Sequence, residues 1–96
     1  MKIVWSAPAR QDLRDIFEYI SETNINAASK LLTEINERVL VLTGNPAIGR
    51  PGRVNGTKEL VLRKTHYILP YRVHNNQVQI LAIFHTARQW PEQFDE

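Results

Sequence analysis

The chain has 96 residues and a mass of 11.1 kDa, which supports one hydrophobic core and is too short for two. Its 43% hydrophobic and 23% charged residues exclude a disordered or fibrous protein, and the absence of Cys excludes disulfide scaffolds, thiolate metal sites and Cys nucleophiles together. The formal net charge of +2 hides an uneven distribution, because residues 50–72 hold six basic side chains against Glu59 alone. No apolar run approaches the ~18 residues of a membrane span. The opening Met-Lys-Ile-Val-Trp leads straight into patterned sequence, so a single cytoplasmic domain over residues 1–96, with no leader and no membrane contact, is expected.

Lys2 to Trp5 reads as a short strand. Ser6 is placed to cap a helix with Pro8 in its first turn, where a missing N–H does no harm. Ala9, Leu13, Ile16, Phe17 and Ile20 then recur at three- and four-residue steps, predicting a helix from Ala7 to Ser21, with Arg10, Asp12, Arg14, Asp15 and Glu18 on its other side. A second helix is expected to start near Asn24 or Asn26 and to present Ala28, Leu31, Leu32, Ile35, Val39 and Leu42. Gly44 suits a left-handed position just past its end, and Pro46 forbids continuation. Residues 45–57, rich in Gly and Pro, read as a surface loop.

Beyond the loop the period changes to that of strands. Runs at 59–63, 67–73 and 78–84 predict a three-stranded meander, with Asn75-Asn76 as a tight turn. Pro70 cannot donate to a ladder, so local distortion is expected there. The fold class is α+β: an N-terminal helical hairpin packed on one face of a small, mostly antiparallel sheet of three to four strands, with the other face open.

Signatures of nucleotide-binding loops, zinc proteases and serine hydrolases are absent, and His66, His74 and His85 show no metal-ligand spacing, so neither a metal nor a cofactor is expected. What remains is the meander. Arg50, Arg53, Lys58, Lys64, Tyr67, Tyr71, Arg72 and Trp90 form a candidate binding set, since rings interleaved with cations can engage nucleic acid or an acidic partner. Metal-free RNA cleavage would need a proton-transfer group and cations around the phosphorane; His85, Arg63 and Arg88 are the candidates.

Val4-Trp5-Ser6, Asp12-Leu13, Tyr19-Ile20, the Asn45-Pro46…Gly49-Arg50 loop, Gly56-Thr57-Lys58-Glu59-Leu60, Tyr67…Tyr71-Arg72-Val73 and Ile80-Leu-Ala-Ile-Phe-His85…Arg88-Gln-Trp-Pro91 stand in an order that resembles the RelE/ParE superfamily of bacterial toxins over nearly the whole chain. The resemblance implies a type II toxin neutralised by a cognate antitoxin, with operator DNA contacted only through that antitoxin. It also implies one of two actions: ParE-like binding and inhibition of DNA gyrase, or RelE-like cleavage of mRNA on the ribosome. The nucleases carry a catalytic Arg on the middle strand, where this chain has Ile68, and RelE carries lysines on the preceding strand, where this chain has Glu59 and Val61. These departures favour a non-enzymatic, ParE-like inhibitor; the alternative is a metal-independent endoribonuclease using His85, Arg63 and Arg88.

Overall fold

Strand β1 (Lys2–Trp5) passes through Ser6 into helix α1 (Ala7–Ser21), and a short link leads to helix α2 (Ile25–Gly44). The remaining elements are β2 (Arg50–Pro51), β3 (Lys58–Leu62), β4 (Tyr67–His74), β5 (Gln77–Ile80) and β6 (Phe84–His85). This computed structural model describes residues 1–86 and Phe94.

Both helices begin at the expected caps. The Ser6 hydroxyl accepts from the Ala9 N–H at 3.1 Å, and Asn24 Oδ1 accepts from the Ala27 N–H at 3.0 Å. Each bond satisfies one of the donors a helix start leaves open. The far end of α2 departs from expectation. Gly44 is still helical, and the cap is Asn45 at φ −144° and ψ 76°, its N–H bonded to the Val41 carbonyl at 3.0 Å. A left-handed glycine is unnecessary when the last amide still reaches the carbonyl four residues back and Pro46 ends the run.

The helices pack on one face of a mixed sheet ordered β1-β5-β4-β3-β2, with β6 also paired to β4. All pairings are antiparallel except β1 on β5, which is parallel. Among the described residues the sheet therefore has six strands rather than three or four. Two additions explain the difference: Arg50–Pro51 is too short to show a period, and the expected last strand is broken in two.

Pro70 accounts for that break. Tyr71 pairs with Ile80 and Ile68 pairs with Phe84, so Leu69 and Pro70 face three residues, Leu81 to Ile83. One extra residue in a ladder is a bulge, and it falls where Pro70 has no N–H to offer. The Pro70 carbonyl still accepts from the Leu81 N–H at 2.9 Å. Helix α1 serves the other freed groups: the Ser6 hydroxyl donates to the Leu81 carbonyl at 3.2 Å, and Asp12 Oδ2 accepts from the Ile83 N–H at 3.0 Å. Asp12 thus faces the sheet, although its charge suggested the solvent side. The β4–β5 hairpin turns as expected, with Asn75 at φ 51° and Asn76 at φ 59°, the signature of a type I′ turn.

The core lies between α2 and the sheet. Leu31, Ile35 and Leu42 of α2 meet Leu60, Leu62, Leu69, Tyr71, Val78 and Ile80, all essentially buried. Each large aliphatic side chain so removed from water stabilises the fold by roughly 1.5–3 kcal/mol. Helix α1 buries only Ala9 completely; Leu13, Ile16, Phe17 and Ile20 remain half-buried.

Candidate functional site

Alternation along β4 assigns the two sheet faces. Tyr67, Leu69 and Tyr71 point toward the helices, and Ile68, Pro70 and Arg72 point away. The second face is not open as expected. Ile68 is 1% exposed, Phe84 6% and Glu59 1%, and the ring of Phe94 stacks on Phe84 with centroids 5.8 Å apart. An apolar surface beside a half-buried Val61 is thus covered over, which the alternating pattern alone does not reveal.

Glu59 is a buried charge on this face. Its carboxylate accepts from Arg50 Nε at 2.8 Å and from the Arg53 N–H at 2.9 Å, and it pairs with Arg50 Nη2 at 2.8 Å and Arg53 Nε at 3.6 Å. A buried carboxylate requires such partners. Arg50 and Arg53, expected as surface binding residues, are therefore largely committed to an internal charge. Arg72 donates from Nε to Gln79 Oε1 at 2.7 Å, Lys58 is half-buried in β3, and Arg63 and Lys64 are exposed in the β3–β4 turn.

Tyr71 also departs from its expected role. It is completely buried. Its hydroxyl donates to the Pro46 carbonyl at 2.7 Å and accepts from the Gly49 N–H at 2.9 Å, pinning the loop after α2. A Cβ at Gly49 would stand 2.5 Å from that hydroxyl, so the close approach requires glycine. Burial raises the Tyr71 pKa above the ordinary 10.0, with the Gly49 hydrogen bond acting in the opposite direction. Such a ring cannot stack on a ligand.

The chemistry-bearing residues that do come together lie at the other end of the sheet, on the helix side. Tyr67 pairs with His85 across β4 and β6, and their rings meet edge to face with centroids 5.4 Å apart and planes at 89°. Burial, then the nearby Tyr19, raises the Tyr67 pKa. Both rings line a cavity of about 310 Å³ together with Lys30, Lys64, Thr65 and His66, over a floor that includes Ile20, Ala27 and Leu31. His66 holds a positive φ of 65°, and its carbonyl accepts from the Thr86 N–H at 3.1 Å. Buried Glu34 secures the same turn, accepting from the Lys64 N–H at 3.0 Å and from the Thr65 N–H and hydroxyl at 3.0 and 2.7 Å. Lys30 carried no signal in the sequence, where it reads as an ordinary exposed charge, whereas His66 read as part of the first turn of the meander. Arg63 does not line this cavity, and Arg88 and Trp90 lie outside the described residues.

A separate groove of about 570 Å³ runs between β1 and the helices. Trp5, Leu13 and Leu32 line it, and Lys2, Arg10 and Arg14 rim it. No described helix is long and apolar enough to cross a membrane.

A two-helix hairpin on a mixed sheet of this order defines a small α+β domain, and comparison with known proteins gives the family. Residues 3–90 match the family described as the ParE toxin of type II toxin–antitoxin system, parDE. A relative from Sinorhizobium fredii, named "Putative toxin Y4kP", is 40% identical over 91 residues, covering 95% of this chain and 94% of that protein. The chromosomal ParDE system from P. aeruginosa superimposes with a TM-score of 0.77 at 31% identity, over 88% of this chain and 95% of the other. The E. coli RelBE complex matches with a TM-score of 0.62 over 91% of this chain and 98% of the other, but at 14% identity it speaks to the fold alone. The chain belongs to the ParE family of type II toxin–antitoxin toxins.

Proposed function

We propose that this toxin acts by binding and inhibiting DNA gyrase in the cytoplasm, and that a cognate antitoxin holds it silent. The observation that carries the choice of binding over RNA cleavage is the second sheet face. The positions where RelE-like nucleases need cations carry Val61, Ile68 and Glu59, and Glu59 is already neutralised by Arg50 and Arg53. An anionic phosphorane gains nothing from such a surface. His85 lies on the opposite face against Tyr67, so it cannot complete a catalytic set there.

The β1 groove fits the antitoxin. Half-buried Trp5, Leu13 and Leu32 offer apolar contact to an amphipathic segment, and Lys2, Arg10 and Arg14 suit an acidic one. The test of the gyrase reading is a supercoiling assay with purified toxin. Excess toxin abolishes supercoiling, and stoichiometric antitoxin restores it. Gyrase that works undisturbed at excess toxin overturns the reading. In cells, primer extension on translated message then yields no new 5′ ends, and His85→Ala leaves toxicity unchanged.

A further inference from the structure

The cavity under the β3–β4 turn combines three features and shares no lining residue with the β1 groove. Its rim carries two cations, Lys30 from the second turn of α2 and Lys64 from the β3–β4 turn, beside the rings of His66 and His85. Its floor is apolar and aromatic, from Ile20, Leu31 and the Tyr67 ring. Its volume of about 310 Å³ is at the lower end of the range that holds small ligands. Glu34, which secures the turn, directs both oxygens onto amides and the hydroxyl of the turn, so three donors already offset its charge. Glu34 and Glu37 line the adjoining recess, which shares Lys30, Lys64 and Thr65 with this cavity, and neither lines the cavity itself.

From this arrangement we infer that the cavity between the start of α2 and the β3–β4 turn is a binding site for a nucleoside phosphate, with the phosphate on Lys30 and Lys64 and the base against Tyr67 and His85. Two ammonium groups supply point charges for a phosphate. A flat heteroaromatic base suits an apolar floor walled by an edge-to-face ring pair. A bare carboxylate from an acidic peptide would satisfy the lysines but leave the aromatic floor without a partner, which favours the nucleotide. The phosphate can belong to a free nucleotide or to the end of a single strand. The inference is independent of the gyrase reading, because its test contains no gyrase.

The test is titration of the ¹⁵N-labelled full-length toxin with AMP, adenosine, inorganic phosphate, a 5′-phosphorylated oligo-dT and a glutamate-rich peptide, followed by amide shifts. AMP should move Lys64, Thr65, His66 and Tyr67, and should bind at least tenfold tighter than adenosine or inorganic phosphate. The double variant Lys30→Gln/Lys64→Gln should lose at least tenfold in AMP affinity while its melting temperature stays unchanged, since both side chains are exposed. Tyr67→Leu should lose the preference for AMP over inorganic phosphate and keep phosphate binding. Tighter binding of the oligonucleotide than of AMP assigns the site to a strand end, and equal or weaker binding assigns it to a free nucleotide; both support the inference. Inorganic phosphate binding as tightly as AMP overturns it, as does a response to the glutamate-rich peptide alone or to nothing in the set.

Discussion

Two buried polar residues show how a single side chain decides what its neighbours can do. Glu59 is essentially inaccessible, whereas the Arg50 and Arg53 side chains are 49% and 47% exposed. The cost of breaking this cluster is therefore asymmetric. Arg50→Ala leaves a buried carboxylate short of its best partner and should cost about 2–3 kcal/mol, whereas Glu59→Gln leaves two arginines that water can solvate and should cost about 1 kcal/mol. Urea denaturation of both variants measures the order, and a more harmful Glu59→Gln would contradict it. Tyr71 makes its own prediction. Burial raises its pKa above 10.0, and Tyr67 shifts in the same direction. The unfolded chain therefore releases these protons first as pH rises. Their stabilising contribution is complete below pH 10 and is lost through the window above it. Thermal melts should show stability falling above about pH 10, and Tyr71→Phe should flatten that fall while costing about 1 kcal/mol at neutral pH through the lost loop contacts.

At the scale of elements, the interrupted last strand and helix α1 form one unit. Pro70 cannot support a ladder bond, the opposite strand bulges by one residue, and Ser6 and Asp12 of the helix start take up the freed carbonyl and amide. The helix with the weaker hold on the core is thus fixed to the sheet by polar contacts as well as by its apolar stripe. Removing the charge-assisted bond from the Ile83 N–H should cost about 2 kcal/mol. Hydrogen exchange of Asp12→Ala checks this: the Ile83 amide should exchange at least tenfold faster while the β3–β4 amides keep their rates. The pairing of Asp12 with Ile83 is invisible in sequence because 71 positions separate the two residues. The caps at Ser6 and Asn24 are legible because each bond spans three.

For the whole molecule, the distribution of charge matters more than its total. The basic stretch at 50–72 suggested electrostatic attraction of an acidic antitoxin, but Glu59 ties up Arg50 and Arg53, and the cations beside the β1 groove come from the first helix and strand. Association with an acidic antitoxin should slow by about tenfold between low and high salt, as expected for steering by exposed charge. Arg10→Glu/Arg14→Glu should slow it by a similar factor, and Arg50→Gln/Arg53→Gln by less than about threefold. Stopped-flow association rates measure all three, and a larger effect at Arg50 and Arg53 would place the encounter surface on the other edge of the sheet. The groove and the cationic cavity are separate recesses that share no lining residue.

The amino-acid sequence by itself determined the helices, their N-terminal caps, the Asn75-Asn76 turn and the membership of the superfamily. Each rests on interactions within about four residues or on a repeating period, and these are written locally. Only the tertiary structure decided that β1 closes the sheet parallel to β5, that the last strand splits opposite Pro70, and that Tyr71 is a buried tether rather than a binding residue. It also decided that Arg50 and Arg53 serve Glu59, and that Lys30 meets Lys64, His66 and His85 around one cavity. The physical reason is common to all of these. A strand's partner, a carboxylate's counter-charge and a cavity's wall come from segments distant in the chain, and folding alone brings them within a few ångströms.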